Sequence, residues 1–192
     1  MVKKNDLLIK NLNDTINGLN LIRKNGLLKK INLLSSLILK TLNKKKKIMF
    51  CGNGGSASEA SHIAAEFVGR YLKERKEQSA ISLTTDNSII TAIGNDYSFD
   101  EIFSKQVKAI GKTNDILITL STSGKSKNII NALRVAKKQR IKTVLFTGKN
   151  KFRYPKLIDI EINVPADRVD RIQELHLVLL HNLCELVEKN LN

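Results

Sequence analysis

Apolar residues recur at three- and four-residue spacing through the first part of the chain. Leu7, Leu8, Leu12, Ile16, Leu19 and Ile22 trace one stripe, and Leu27, Leu28, Ile31, Leu34, Ile38 and Leu42 trace another. That is helical periodicity, and it predicts helices over residues 5–22 and 26–43, broken at Asn25-Gly26. Leu33, Leu37 and Leu39 widen the second stripe past half the helix circumference, more than a surface helix needs. Burial of this helix between subunits is the expectation.

From Ile48 the pattern changes to short apolar runs alternating with amphipathic stretches. Ile48–Cys51, Ala80–Leu83, Asn114–Leu120 and Lys142–Thr147 read as strands. Asn114–Leu120 barely alternates, as expected of a strand covered on both faces. Residues 159–164 alternate as DIEINV and read as a fifth strand. Helices are predicted over Ala57–Tyr71, Asn87–Ile93, Glu101–Gly111, Lys127–Gln139 and about 168–189. Asp86 and Asp100 are the expected caps of the second and third of these. Lys149–Leu157 reads as a basic loop. Strands alternating with helices predict an α/β fold: a mainly parallel five-stranded sheet between two helical layers. The division expected is a helical oligomerisation segment, 1–45, and an α/β domain, 46–192, within one globular unit.

Composition narrows the setting. At 192 residues and 42% hydrophobic, the chain suits one domain with a proper core. No apolar run approaches the ~20 residues of a membrane span. Charges interrupt the N-terminal apolar pattern, which is unlike a signal peptide. Cys51 and Cys184 make no disulfide framework. A cytoplasmic protein is expected, with no membrane contact. The net charge is +15, but residues 1–47 hold twelve Lys/Arg against two Asp and so carry ten of those charges. Without interleaved aromatic residues to stack bases, this reads as a solvated lysine-rich face, and no nucleic-acid partner is expected. A basic protein still attracts a phosphorylated metabolite.

The candidate chemistry sits at the ends of two strands. After Ile48–Cys51 comes Gly52-Asn53-Gly54-Gly55-Ser56, then a helix. Strand, glycine turn and helix present free backbone N–H groups to an anion. The spacing is neither a Walker loop nor GxGxxG. That helix carries His62 and Glu66, which four residues of helix place roughly 40° apart on one face. After Asn114–Leu120 comes Ser121-Thr122-Ser123-Gly124-Lys125-Ser126, with four hydroxyls beside a helix start. Such a loop suits a phosphate. Both loops lie at strand C-termini, where parallel sheets bind ligands. Each motif alone also has a plain structural reading: a tight turn, a serine N-cap, an exposed i,i+4 pair. The last helix adds Gln173, Glu174, His176 and His181, and His181 among Leu177, Leu180 and Leu183 could equally be a core histidine.

Taken together, four stretches in order closely resemble the bacterial phosphoheptose isomerases of the sugar-isomerase (SIS) family. They are CGNGGSASEASHIAAEFVGRY, LTTDNSIITAIGNDYSFDEIF, STSGKSKNI and RIQELHLVLLH, and the match covers about residues 46–190. The resemblance implies a single SIS-type domain and a ketose–aldose isomerase acting on sedoheptulose 7-phosphate. The product would be glycero-manno-heptose 7-phosphate, on the way to activated heptose for lipopolysaccharide or capsule. It implies a homotetramer with sites between subunits. It implies substrate contacts at Asn53, Gly54, Gly55, Glu66, Asn95, Asp96, Ser121, Thr122, Ser123, Ser126 and Gln173. One zinc per subunit would be held by His62, Glu66, Gln173 and His181, with Glu66 and His181 as the acid/base pair. Gln173 and His181 are eight apart, about 12 Å along a helix and 80° around it, so one metal reaches both only with extended side chains or with two chains contributing. The loop after Gly148 departs from the family, with Lys149-Asn150-Lys151-Phe152 where a Gly-Gly pair is usual. Some relatives are tetrameric binding proteins of the replication initiator. These tend to lack the acid/base pair, whereas this chain has both Glu66 and His181.

Overall fold

A computed structural model describes residues 4–191. Two helices, α1 (Lys4–Lys24) and α2 (Leu27–Asn43), precede β1 (Ile48–Gly52) and α3 (Gly55–Val68). Then follow β2 (Ala80–Ser82), α4 (Asn87–Asp96), α5 (Ile102–Ile110) and β3 (Ile116–Leu120). The chain closes with α6 (Lys127–Lys138), β4 (Lys142–Thr147), β5 (Ile160–Asn163) and α7 (Val169–Lys189). All strands are parallel, in the order β2-β1-β3-β4-β5. Among the described residues, no helix is long and apolar enough to cross a membrane.

The strand side chains show the three layers. Ile48, Phe50, Ile116, Ile118, Val144 and Phe146 point into one core, shared with α2, α3 and α7. Their neighbours Met49, Leu117 and Leu145 point into a second core, with α5 and α6. A period of two that is apolar on both faces explains the unbroken runs in the sequence. β5 sits at the sheet edge and buries only Ile160 and Ile162, which is why it alternates.

Local differences from the sequence reading have physical causes. Asp86 caps α4 by accepting the Ile89 N–H at 2.9 Å, as expected. Asp100 does not cap α5. It lies inside a 3-10 turn, Phe99–Glu101, and α5 starts only at Ile102. α4 runs through Gly94 to Asp96, so Asn95 and Asp96 occupy its last turn instead of a loop. α3 starts two residues early, at Gly55, and stops at Val68. Arg75 draws the end of α3 together by donating to the carbonyls of Glu66, Phe67 and Gly69. The basic loop after Gly148 is anchored by Phe152, which is buried against the second core, and by an ion pair of Lys149 with Asp167 at 2.6 Å.

α2 spends most of its apolar surface inside the chain. Ile31, Leu34 and Ile38 are buried against α7 and β5, while Leu28 and Leu33 face outward. The wider open apolar surface belongs to α1, where Leu7, Leu8, Ile9, Leu12 and Ile16 are all more than half exposed.

Candidate active site

The sheet order reverses between β1 and β3, since β2 lies on one side of β1 and β3–β5 on the other. At such a switch point the loops leaving adjacent strands diverge and open a crevice. Gly52 of β1 is level with Leu120 of β3, so the glycine turn and the serine loop emerge side by side. A reciprocal amide pair joins them: Asn53 Nδ2 donates to Asn128 Oδ1 at 3.0 Å, and Asn128 Nδ2 donates back to Asn53 Oδ1 at 2.9 Å. Asn128 is buried in the first turn of α6. It was not visible as a site residue in the sequence; its only signal is an amide side chain just inside a helix start.

In the glycine turn, Gly54 has φ 56°, a left-handed conformation that favours glycine. At Gly55 the absence of a side chain makes room for Gln173. A Cβ there would lie 2.5 Å from Gln173 Nε2 and 2.9 Å from Oε1, so α7 lays its carboxamide directly on the turn. In the serine loop, Ser121 is buried at the end of β3 and its hydroxyl is 3.4 Å from that of Ser126. Ser126 is the N-cap of α6, yet its side chain makes no capping bond, which leaves the hydroxyl available. Ser123 Oγ accepts the Lys125 N–H at 3.1 Å, and Gly124 turns the loop at φ 64°. Thr122 is half-buried beside it.

The second half of the site lies along α3 and α7. His62 Nε2 is 3.1 Å from Glu66 Oε1, and His181 Nε2 is 3.5 Å from His62 Nε2. One ligand atom each from His62, Glu66 and His181 fall within 4.8 Å of one another. Two imidazoles and a carboxylate at this spacing are a set that could hold a divalent metal. Tyr71 stacks on His181, with ring centroids 5.8 Å apart. The Glu188 carboxylate holds the segment that carries Tyr71. It accepts the backbone N–H groups of Tyr71, Leu72 and Lys73 at 2.9–3.0 Å and lies 3.4 Å from Arg75 Nε. Burial pushes this carboxyl up, but those N–H groups and Arg75 outweigh it and hold the group below the ordinary value. Tyr71 and Glu188 are further residues the sequence reading did not place at the site.

The core histidine of α7 is His176, not His181. His176 is fully buried, with Nε2 at 3.3 Å from the Thr147 carbonyl, and burial pushes it down to about 4. His181 is half-buried and faces His62.

Gln173, Asn95 and Asp96 take the following places in the chain. Gln173 lies at Gly55, seven residues of α3 before His62. Eight residues of α7 separate it from His181, about 12 Å along the helix. Asn95 and Asp96 are exposed at the end of α4, which packs on α5 and the 3-10 turn, and they bond to each other at 2.9 Å.

Glu59 is a further acid the sequence reading passed over. It is buried, and burial pushes its carboxyl up to about 7, partly offset by the Ser56 hydroxyl. The unfolded chain releases this proton near the ordinary value of 4.5, while the folded chain holds it to about 7. Between those values the unfolded state binds fewer protons, so Glu59 makes the fold less stable as pH rises through that window. Glu59→Gln should therefore gain stability over the parent progressively from pH 4.5 to 7 and hold the gain above that. Denaturant titrations at several pH values check this; a pH-independent difference contradicts it.

Comparison with known proteins gives the family. Residues 17–148 match the SIS domain, and the chain belongs to the SIS-domain family. Within it, the chain belongs to the phosphoheptose isomerase family. It is 51% identical over 155 residues to the phosphoheptose isomerase of Thermodesulfovibrio yellowstonii, covering 81% of this chain and 77% of that one. It is 48% identical over 154 residues to that of Helicobacter pylori (strain Shi470), covering 80% of each. Among solved structures, the phosphoheptose isomerase of Neisseria gonorrhoeae superposes with a TM-score of 0.91 at 37% identity, covering 97% of this chain and 100% of that one. That of Francisella tularensis gives 0.93 at 32% identity, covering 98% and 100%.

Proposed function

We propose that this chain is the isomerase that converts sedoheptulose 7-phosphate to glycero-manno-heptose 7-phosphate, supplying heptose for lipopolysaccharide or capsule in the cytoplasm. The observation that carries the reading is the junction of a serine loop and a glycine turn at the sheet switch point, with a His–Glu–His group farther along α3 and α7. In a relative of named phosphoheptose isomerases, that junction matches the two ends of a phosphorylated ketose.

The residues divide the work. Ser121, Thr122, Ser123 and Ser126 take the phosphate, helped by the positive end of α6. Asn53, Gly54, Gly55 and Gln173 face the sugar hydroxyls. Glu66 removes a proton from C1 of the open-chain ketose, giving the enediol, and returns a proton to C2. His181 exchanges the accompanying proton between the two oxygens, so that O2 gains what O1 loses. Tyr71 and Glu188 keep His181 and the end of α3 in place.

His62, Glu66 and His181 suit zinc in residue type and spacing, and zinc would supply Lewis-acid polarisation of the carbonyl. The resemblance that assigns Gln173, Asn95 and Asp96 to the site also implies sites between subunits. The open apolar face of α1 supports the homotetramer that this requires. Light scattering should give about four times 21.5 kDa at micromolar concentration; a monomer contradicts the shared site. The replication-initiator alternative has no observation in its favour, since Glu66 and His181 are both present and both lie beside His62.

The test is incubation with sedoheptulose 7-phosphate, following aldose formation, before and after chelation. Turnover with stoichiometric zinc, lost on chelation and restored by the metal, is expected. Affinity for zinc should also fall at acid pH, because ligation needs neutral imidazoles. Full activity in verified metal-free protein would leave His62, Glu66 and His181 as substrate contacts alone.

A further inference from the structure

On α3, Gly55, Glu59, His62 and Glu66 are spaced four, three and four apart and form one stripe. Both ends of this stripe meet α7: Gly55 lies against Gln173, and His62 against His181. Glu59 lies between them, so the packing of the two helices places it in the α3–α7 seam. It is 8% exposed, and among the described residues neither carboxyl oxygen has a hydrogen-bond partner of good geometry, the Ser56 hydroxyl being only a weak neighbour. A buried acid left in this state costs stability, and such groups need an explanation.

The explanation is close by. The Gln173 carboxamide makes no hydrogen bond among the described residues, and its Nε2 lies 2.5 Å from where a Cβ of residue 55 would stand. Cβ positions four apart on a helix are about 5–6 Å from each other. A glutamate side chain from position 59 spans the remaining distance. An unpartnered acceptor and an unpartnered donor thus stand one helical turn apart in the same seam.

We propose that Glu59 is a positioning residue: its carboxylate receives a Gln173 side-chain N–H and so turns Gln173 Oε1 outward as an acceptor for a substrate hydroxyl. A primary amide is ambiguous in direction, and only a neighbour that cannot donate settles which end faces the ligand. Ionised, Glu59 is such a neighbour, and an N–H donated to it favours that form. The absence of a side chain at Gly55 is part of the same device, because it leaves room for the carboxamide between the glycine turn and α7. Glu59 touches no reacting atom; its effect passes through Gln173. The proposal rests on the isomerase reading for its substrate, but the Glu59–Gln173 contact can be tested apart from it.

The test is a double-mutant cycle on the full protein. Glu59→Leu should fold at least as stably as the parent, since it removes an unpartnered buried acid, yet lose about tenfold or more in kcat/KM. Glu59→Gln keeps an acceptor and should fall between the two. Gln173→Ala should lose at least as much as Glu59→Leu, and adding Glu59→Leu to it should cost nothing more. Equal costs of the Glu59 change in both backgrounds would overturn the proposal, as would activity within twofold of the parent for both Glu59 variants. If Glu59→Leu fails to fold, the cycle is run with Glu59→Gln. A crystal structure with a bound sugar phosphate gives a readout independent of turnover. Glu59 and Gln173 Nε2 should be at hydrogen-bond distance there, about 2.9 Å, and a gap beyond about 4 Å overturns the contact even in an active enzyme. Failure of the isomerase reading would instead show as a parent protein with no turnover.

Discussion

Glu66→Gln should lower kcat by at least about 10²-fold, roughly 2.7 kcal/mol of barrier, while the protein still folds and binds substrate. The substitution keeps the shape of the side chain and removes its ability to take a proton. The fold should tolerate it. Glu66 is only half-buried, its side chain meets His62 at 3.1 Å, and the Arg75 bond that fixes this end of α3 goes to the Glu66 backbone carbonyl, not to the carboxylate. Loss of a proton carrier acts in the transition state, so kcat should fall with little change in KM. Steady-state kinetics with sedoheptulose 7-phosphate decide it. Near-normal turnover would remove Glu66 as the base.

Replacing Ser121 and Ser126 together by Ala should raise KM by one to two orders of magnitude, about 1.4 to 2.8 kcal/mol. The two hydroxyls lie 3.4 Å apart at the end of β3 and the start of α6, a spacing at which both can donate to one phosphate. Ser126 makes no capping bond, so its removal costs α6 little and the loss should show in binding. The phosphate is remote from the proton transfer, and its loss should weaken ground and transition states alike. The dephosphorylated sugar should be a poor substrate for the parent. Equal reaction of the two sugars would show that the serine loop does not hold the phosphate.

The sheet and its two ligand loops were legible in the sequence because they depend on local signals. Five strand-like runs each met a turn or helix start, and the hydroxyl and glycine loops followed β3 and β1 directly. What stayed hidden depends on contacts across the fold. Asn128 reads as an ordinary helix residue until the register of β1 and β3 sets it against Asn53. Glu59 reads as one more helical glutamate until α7 covers it. Asp100 has the residue type of a cap, but the 3-10 turn defers the helix past it. His176 and His181 are both histidines on an amphipathic helix. Five residues of helix turn 500°, or 140° net, which separates the one facing β4 from the one facing α3. The place of Gln173 was half legible: its eight-residue gap from His181 asks for extended side chains or a second chain at one centre, and the structure puts its amide on Gly55. Asn95 and Asp96 belong to a motif that sequence reading assigns to the site, but nothing local says which copy they serve.

The most direct measurement is the isomerisation of sedoheptulose 7-phosphate by the zinc-loaded parent protein in deuterated water, with the product read by NMR. Proton transfer through the exchangeable carboxyl of Glu66 predicts aldose formation with deuterium at C2. No aldose from this protein, or a C2 that still carries only protium after the reaction has gone repeatedly to and fro at equilibrium, would contradict the account.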